Sequence, residues 1–309
     1  MAHIYIYSPS GAVRDKAAFK RGVARLKQLG HEVELDADAL SSQTRFAGDD
    51  ATRLAAIHRA AASGADVALI TRGGYGLTRI LPNIPYKHVA KAIAKGTQFV
   101  GLSDFTAFQN ALLAKTGAIT WAGPALGEDF GAEEPDDIME ACFDDLVSGQ
   151  GEGGGWHFSA ACAAANAKRR PGVWAQDAVL WGGNLAVLVS LLGTPYFPQV
   201  KNGVLFLEDV GEHPYRIERM LQQLMDAGYL SQQKAVILGD ISSYRLSEID
   251  RGYDLNAALR AIRQRLGDSV PVLTGLPFGH CPDKLTLPIG RTASLSASSS
   301  GYILKANCA

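Results

Sequence analysis

The strongest constraint on the fold of this 309-residue chain is the alternation of short apolar runs with amphipathic stretches in its first half. Residues 4–7 are typical of a buried strand, and the stretch after them repeats apolar side chains at helical spacing until Gly30, which favours the end of a helix. Predicted strands at 67–71 and 98–102 are each followed by a predicted helix. Strands separated by helices pair in parallel through right-handed crossovers, so this half predicts a parallel α/β domain.

A change of composition at residues 149–171 divides the chain. Clustered glycines there are followed by small residues and then by Lys-Arg-Arg-Pro, which is typical of a connection between domains or of an ordered crossing strand. We therefore predict an N-terminal domain over residues 1–150, a linker over 151–172 and a second domain over 173–309. Within the second domain the pattern predicts strands at 203–207 and 235–239 and a closing antiparallel hairpin at 292–303.

Charge and composition exclude several classes of partner. The chain has 30 Lys and Arg against 31 Asp and Glu, a formal net charge of -1. Nucleic acids and anionic membranes require concentrated positive charge, so we expect neither as a partner, whereas a small anionic substrate needs only one or two cations. No basic, apolar leader precedes Pro9, which predicts a cytoplasmic protein. The four cysteines lack C-x-x-C spacing and no H-E-x-x-H motif occurs, so we expect no metal, cofactor or disulfide framework.

Ser103 lies in G-L-S-D-F-T at 101–106, where a predicted strand turns directly into a predicted helix. Such a bend exposes Oγ and directs backbone N–H groups and the helix dipole toward the same point, as in a nucleophile elbow. Phe105 replaces the second glycine of the G-x-S-x-G pattern. Simple capping of the helix by Ser103 or Asp104 explains the same residues, and the local pattern leaves both interpretations open.

The glycine loop R-G-G-Y-G at 72–76 follows another predicted strand. Glycine permits positive φ and a close approach of a ligand to the backbone. A tight turn, a phosphate cradle and an oxyanion-hole loop opposite the serine all fit this pattern. The phosphate interpretation is disfavoured because neither G-x-G-x-x-G nor G-x-x-x-x-G-K-[ST] is present.

An acid and a histidine in the second half are candidates for acid–base chemistry. Glu208 directly follows the predicted strand at 203–207, where it could orient a histidine by accepting its N–H. His280 lies in G-L-P-F-G-H, an irregular loop that could present its side chain to a cleft. The rival residues at these positions are Asp209, Glu212, His213 and Cys281.

The order and spacing of five motifs are more specific than any one of them. The motifs are R-G-G-Y-G (72–76), G-L-S-D-F-T (101–106), W-G-G-N (181–184), L-E-D-V-G-E-x-P-Y-R-I-E-R (207–219) and G-x-P-x-G-H (275–280). Together they resemble the LD-carboxypeptidase family of serine peptidases, which includes murein tetrapeptide carboxypeptidases and microcin C self-immunity peptidases. The resemblance runs from S-P-S-G at 8–11 to L-P-I-G at 287–290.

The resemblance implies a fold, a site and a substrate. The N-terminal domain would be Rossmann-like, a smaller, β-rich C-terminal α/β domain would follow it, and the active site would lie between them. Ser103 would be the nucleophile, Glu208 the triad acid and His280 the base, with the backbone N–H groups of Gly74 and Asp104 as the oxyanion hole. The candidate substrate-binding residues are Arg72, Gly73, Trp181 and Asn184. Arg72 is included only because of its position in the glycine loop.

The implied reaction is the release of D-alanine from a murein tetrapeptide during peptidoglycan recycling, by a protein expected to be a homodimer. One alternative within the family is a peptidase that cleaves aminoacyl-nucleotide mimics, which the short stretch at 195–204 disfavours. An alternative from another class is a non-catalytic α/β ligand-binding module.

Overall fold

The computed structural model describes residues 1–150 and 153–306. The chain forms two compact units. The first comprises Met1–Gly151, Gly193–Pro198 and Pro282–Gly290, and the second comprises Glu152–Leu192, Gln199–Cys281 and Arg291–Ala309. Neither unit is therefore continuous in sequence.

The elements of both units are numbered along the chain. The strands are β1 (His3–Tyr7), β2 (Glu32–Leu35), β3 (Val67–Ile70), β4 (Gln98–Gly101), β5 (Thr120–Ala122), β6 (Gly153–His157), β7 (Gly172–Asn184), β8 (Val204–Val210), β9 (Ala235–Ser242), β10 (Val272–Thr274), β11 (Leu287–Ile289), β12 (Thr292–Ala297) and β13 (Gly301–Ala306). The α-helices are α1 (Lys16–Gln28), α2 (Asp50–Ala62), α3 (Leu77–Ile80), α4 (Tyr86–Ala94), α5 (Phe105–Thr116), α6 (Asp137–Ser148), α7 (Ala160–Ala165), α8 (Leu185–Ser190), α9 (Pro214–Asp226) and α10 (Leu255–Leu266). Short 3₁₀ turns occupy Leu81–Asn83 and Glu248–Asp250, and a π-helical turn occupies Leu126–Phe130.

The first unit is built on a mainly parallel sheet. Its strand order is β11-β5-β4-β3-β1-β2, in which β1 to β5 pair in parallel and β11 is antiparallel to β5. The predicted parallel α/β fold of this half is confirmed. In an open sheet of this order, ligands bind at the carboxyl ends of the strands where the order reverses, here beside β1 and β3.

One part of the core of the first unit lies between this sheet and the helix α1. Buried residues of β1 and β3 pack against Phe19 and Leu26 of α1 and against Phe130 and Phe143. Asp15 caps the N-terminus of α1: its carboxylate accepts hydrogen bonds from the N–H groups of the first turn. Apolar residues at helical spacing thus form the buried stripe that the sequence predicts, and they hold the sheet whose strand ends carry Ser103 and the glycine loop.

The second unit contains a mixed sheet of strand order β10-β9-β8-β7-β12-β13-β6. Its strands β7 to β10 are parallel, and β12, β13 and β6 add to β7 in antiparallel fashion. The predicted hairpin near the C-terminus is confirmed as β12 and β13. The second unit is therefore α/β with an antiparallel extension.

The segment predicted as a linker differs from that expectation where the structure describes it. Residues 153–172 contain β6 and α7, and β6 pairs with β13. Glycines disfavour strands in isolation, yet a Cβ on Gly153 would overlap the carbonyl oxygen of Leu304 on the paired strand. The long-range pairing therefore overrides the local preference; residue 151, the start of the predicted linker, lies outside the described residues.

Within residues 1–150 and 153–306 no helix has both the length and the apolar composition that a membrane span needs.

Candidate active site

Ser103 occupies a strained bend between β4 and α5. Its φ is +63°, a left-handed conformation that costs a residue with a side chain about 1–2 kcal/mol. Leu102 and Ser103 accept hydrogen bonds from the N–H groups of Phe105 and Thr106, which closes the bend into the first turn of the helix. Among the described residues no side chain caps α5, so helix capping does not explain this sequence. The bend has the geometry of a nucleophile elbow.

The glycine loop packs directly against Ser103. A Cβ built on Gly73 would lie 2.6 Å from Ser103 Cβ, 2.8 Å from Ser103 Oγ and 3.4 Å from the backbone nitrogen of Asp104. Only glycine fits at this distance. Gly74, which follows, has a φ of +122°, and the carbonyl oxygen of Gly73 accepts a hydrogen bond of 3.2 Å from Gly11 N. The glycine loop thus lies against the Ser103 side chain and is itself held by the loop that contains Gly11.

Glu208 and His280 form a hydrogen-bonded pair in the second unit. His280 Nδ1 lies 2.8 Å from Glu208 Oε2; Glu208 is 0% exposed and the His280 side chain is 18% exposed. A buried carboxylate that accepts from Nδ1 keeps the proton on that nitrogen, so any role as a base would fall to Nε2. Gly279, with a φ of +140°, makes the turn, since a Cβ there would lie 2.9 Å from Asp240 Cβ.

Comparison with known proteins assigns both halves of the chain. Residues 4–123 match the LD-carboxypeptidase N-terminal domain, and residues 177–295 match the LD-carboxypeptidase C-terminal domain. A crystal structure of muramoyltetrapeptide carboxypeptidase from Oxalobacter formigenes is 38% identical, covers 99% of this chain and 98% of that one, and has a TM-score of 0.86. The chain belongs to the LD-carboxypeptidase family.

Two curated relatives extend the comparison. The probable murein peptide carboxypeptidase of Bacillus subtilis is 28% identical over 91% of this chain and 85% of its own length. The microcin C7 self-immunity protein MccF of Escherichia coli is 28% identical over 71% of this chain and 68% of its own length. The family that the five motifs predict, and the two-domain α/β fold that goes with it, are confirmed.

Asn184 supports the acid of this carboxypeptidase-family chain. The residue ends β7 directly opposite Glu208 of β8, and its Nδ2 donates to Glu208 Oε1 at 3.1 Å and to Asp209 Oδ1 at 3.2 Å. Its own Oδ1 accepts from Val187 N at the start of α8. The sequence predicts a substrate contact at Asn184, which stays a prediction; the structure shows its side chain bound to Glu208 and Asp209. The signal was present in the sequence, because Asn184 and Glu208 each follow an apolar run.

Asp209 is a second buried carboxylate beside Glu208. It accepts hydrogen bonds from Ala186 N at 2.9 Å and from its neighbour Val210 N. Burial, and then the charge of Glu208, raise the pKa of Asp209 to about 6. Asp209, a rival to Glu208 in the sequence, therefore has its carboxylate bound by backbone donors, whereas Glu208 accepts from His280.

The rival histidine and acid have partners of their own. His213 Nε2 lies 3.2 Å from Asp250 Oδ2, and Glu212 accepts from Arg216 at 3.4 Å.

Cys142, Cys162 and Cys281 form no disulfide, and Cys308 lies outside the described residues. No group of three or more His, Cys, Asp or Glu side chains suited to a metal ion occurs in the part of the chain that the structure describes.

Trp181 and Arg72, both predicted to bind substrate, have different environments. Trp181 is fully buried and its Nε1 donates to Gln233 Oε1 at 3.0 Å, so its side chain offers no surface to a ligand. Arg72 is partly exposed, and its guanidinium lies 3.9 Å from Glu128. A cavity of about 280 Å³ within the first unit is lined by Arg72, Arg14 and Phe19 together with neighbouring residues. Of the predicted substrate residues, Arg72, Gly73 and Asn184 remain candidates for contact.

Proposed function

We propose that this chain is a serine carboxypeptidase that releases the terminal D-alanine from the murein tetrapeptide L-Ala-γ-D-Glu-meso-diaminopimelyl-D-Ala. The observation that carries the proposal is the local structure at Ser103: its backbone is left-handed, and its side chain packs against Gly73. Neither a capped helix nor a simple turn requires that arrangement. The similarity to the 38% identical muramoyltetrapeptide carboxypeptidase and to the probable murein peptide carboxypeptidase of Bacillus subtilis supports this choice of substrate.

In the proposed reaction, His280 Nε2 takes the proton of Ser103 as Oγ attacks the carbonyl carbon of the bond to D-alanine. Glu208 holds the imidazole in the required tautomer and stabilises the imidazolium that forms. The backbone N–H groups of Gly74 and Asp104 stabilise the oxyanion, and each such donor contributes about 10²–10³ in turnover. His280 then protonates the departing amine of D-alanine, and water hydrolyses the acyl-enzyme.

Recognition of the D-alanine carboxylate is assigned to Arg72. Its guanidinium donates to Ala12 O at 3.4 Å, lies 3.9 Å from Glu128 and borders the cavity of the first unit. An arginine engages a carboxylate with two parallel hydrogen bonds, which fixes both the position and the orientation of a C-terminal residue. The absence of a side chain at Gly73 leaves room for the Ser103 side chain.

A cytoplasmic location, a place in peptidoglycan recycling and assembly as a homodimer stay predictions of the family resemblance. The absence of nucleic-acid and membrane partners also stays a prediction. The net charge of -1 is compatible with a small peptide as the partner.

The experiment is release of D-alanine from the tetrapeptide, followed with D-amino acid oxidase, by wild type and by Ser103→Ala and His280→Ala. His213→Ala is the control, since His213 also pairs with a carboxylate, that of Asp250, although through Nε2 where His280 uses Nδ1. We expect release by wild type and by the control and none by the other two variants. No release by wild type would refute the substrate. Release that persists in Ser103→Ala would refute the mechanism, and preference for an aminoacyl-nucleotide mimic would place the chain with the immunity peptidases.

A further inference from the structure

The side chain of Asp104 is buried beside the nucleophile bend, and the proposed reaction gives it no part. Asp104 is 2% exposed, and its Oδ2 accepts two hydrogen bonds, from Ser10 Oγ at 2.5 Å and from Leu77 N at 3.0 Å. A carboxylate at the first turn of a helix ordinarily accepts from the N–H groups of that turn, yet this one makes no cap of α5. Its carboxylate accepts instead from the loop that contains Ser10 and from the end of the glycine loop at Leu77.

One of these loops, the glycine loop, packs against Ser103, and the other is hydrogen-bonded to the glycine loop. Ser10 lies in the loop after β1, and its neighbour Gly11 donates to the carbonyl oxygen of Gly73 at 3.2 Å. Leu77 is the first residue after the glycine loop, so Asp104 binds that loop at its end while Gly11 binds it near its start. Asp104, Ser10 and the glycine loop therefore form a closed ring of contacts around Ser103.

Buried positive charge completes this arrangement. Arg53 is fully buried, and its Nη1 donates to the carbonyl oxygen of Gly76 at 2.7 Å. Burial raises the pKa of Asp104, while the hydrogen bonds from Ser10 and Leu77 and the charge of Arg53 oppose the rise. The glycine loop is thus held by one buried cation and one buried carboxylate.

We propose that the Asp104 side chain is a positioning residue for the proposed peptidase. Through Ser10 and Leu77 it fixes the glycine loop against the nucleophile bend, and so sets the distance between the oxyanion donors and Ser103 Oγ. This inference rests on the proposed function. It adds a side-chain role to a residue whose backbone N–H alone belongs to the proposed oxyanion hole. A misplacement of about 1 Å in such a constellation lowers the rate by about 10²-fold.

Ser10→Ala tests the ring with the smallest change, and Ser8→Ala is its matched control. Both serines are buried in the same loop, Ser10 at 1% and Ser8 at 2% exposure. Ser8 Oγ donates to Ala39 O at 2.6 Å and lies 2.7 Å from Thr71 Oγ1, whereas the hydroxyl of Ser10 donates to Asp104. Asp104→Asn keeps an oxygen that accepts from Ser10 and Leu77, whereas Asp104→Leu removes it. The two readouts are the rate of phosphonylation of Ser103 by a fluorophosphonate, in which the Oγ–P bond forms as fluoride leaves, and kcat and KM for D-alanine release.

We expect Ser10→Ala to lower kcat and the phosphonylation rate by about 10- to 100-fold, with KM nearly unchanged. Its melting temperature should match that of Ser8→Ala, because each loses one buried hydroxyl, and Ser8→Ala should react like wild type. Asp104→Asn should retain more activity than Asp104→Leu; if the leucine variant fails to fold, Ser10→Ala decides alone. Ser10→Ala reacting as fast as Ser8→Ala would overturn the inference while the proposed function stands. Wild type that neither labels at Ser103 nor releases D-alanine would overturn both.

Discussion

The substitution Gly73→Ala tests whether the close contact of the glycine loop with Ser103 sets the reaction rate. An alanine Cβ there would lie 2.6 Å from Ser103 Cβ and 2.8 Å from Oγ. Carbon atoms in contact are ordinarily about 3.5–4.0 Å apart, so the loop or the bend must move by roughly 1 Å. The φ of Gly73 lies outside the left-handed region, so the alanine meets a steric obstacle and no conformational one. A displacement of that size at the reacting atom should cost about 10²-fold in kcat.

The assay compares kcat, the phosphonylation rate of Ser103 and the melting temperature of Gly73→Ala with those of Gly155→Ala. Gly155 also has no left-handed φ, and its added Cβ would lie 3.4 Å from the nearest atom, Tyr302 O. We expect the control to keep the wild-type rate, and Gly73→Ala to lose rate while it stays folded, since overpacking costs about 1–3 kcal/mol. A folded Gly73→Ala variant with wild-type kcat would show that the contact does not position the nucleophile.

Three further predictions concern buried charge. Glu208→Gln should lower kcat by about 10⁴-fold with KM little changed, because glutamine no longer favours the required tautomer of His280. Steady-state kinetics measure this, and a kcat near that of wild type would contradict it. Since the pKa of Asp209 is raised to about 6, the native state holds its proton to higher pH than the unfolded chain does, and wild type loses stability as pH rises from about 4 to 6. The free energy of unfolding of Asp209→Asn should therefore rise relative to wild type by about 2–3 kcal/mol across that window in urea titrations, and a constant difference would refute the assignment. Lys284→Met leaves Asp129 buried without the ammonium that lies 2.6 Å away and should cost about 3–5 kcal/mol in unfolding free energy, most of it recovered when Asp129→Asn is added.

The first sheet could be predicted because each of its central strands is a short apolar run between helices. The edge strand β11 could not, since it is three residues long and contains Pro288. Proline lacks a ladder donor, and β11 accommodates it only because it lies at the edge of the sheet, where it pairs with β5 alone. A pairing between residues 120–122 and 287–289 depends on the completed fold, and no local pattern records it.

The candidate site divides in the same way between local and long-range information. The strand-to-helix junction at Ser103 is local, and it is visible in the sequence. The choice between His280 and His213 is not, because each finds its carboxylate far along the chain, at Glu208 and Asp250 respectively. The direction of the Asp104 carboxylate was equally hidden, since a capping role suits the same residue at the same place.

Two residues of the candidate site are individually unfavourable to the fold. The left-handed backbone of Ser103 costs about 1–2 kcal/mol that glycine would not incur. The ionised carboxylate of Asp209 beside Glu208 costs about 1.4 kcal/mol for each unit by which its pKa is raised. A chain selected for stability alone would have glycine at the first position and a neutral residue at the second. This chain retains a serine at the first position, where the glycine loop is packed against it, and an aspartate at the second, beside Glu208. That is the pattern expected where function opposes stability.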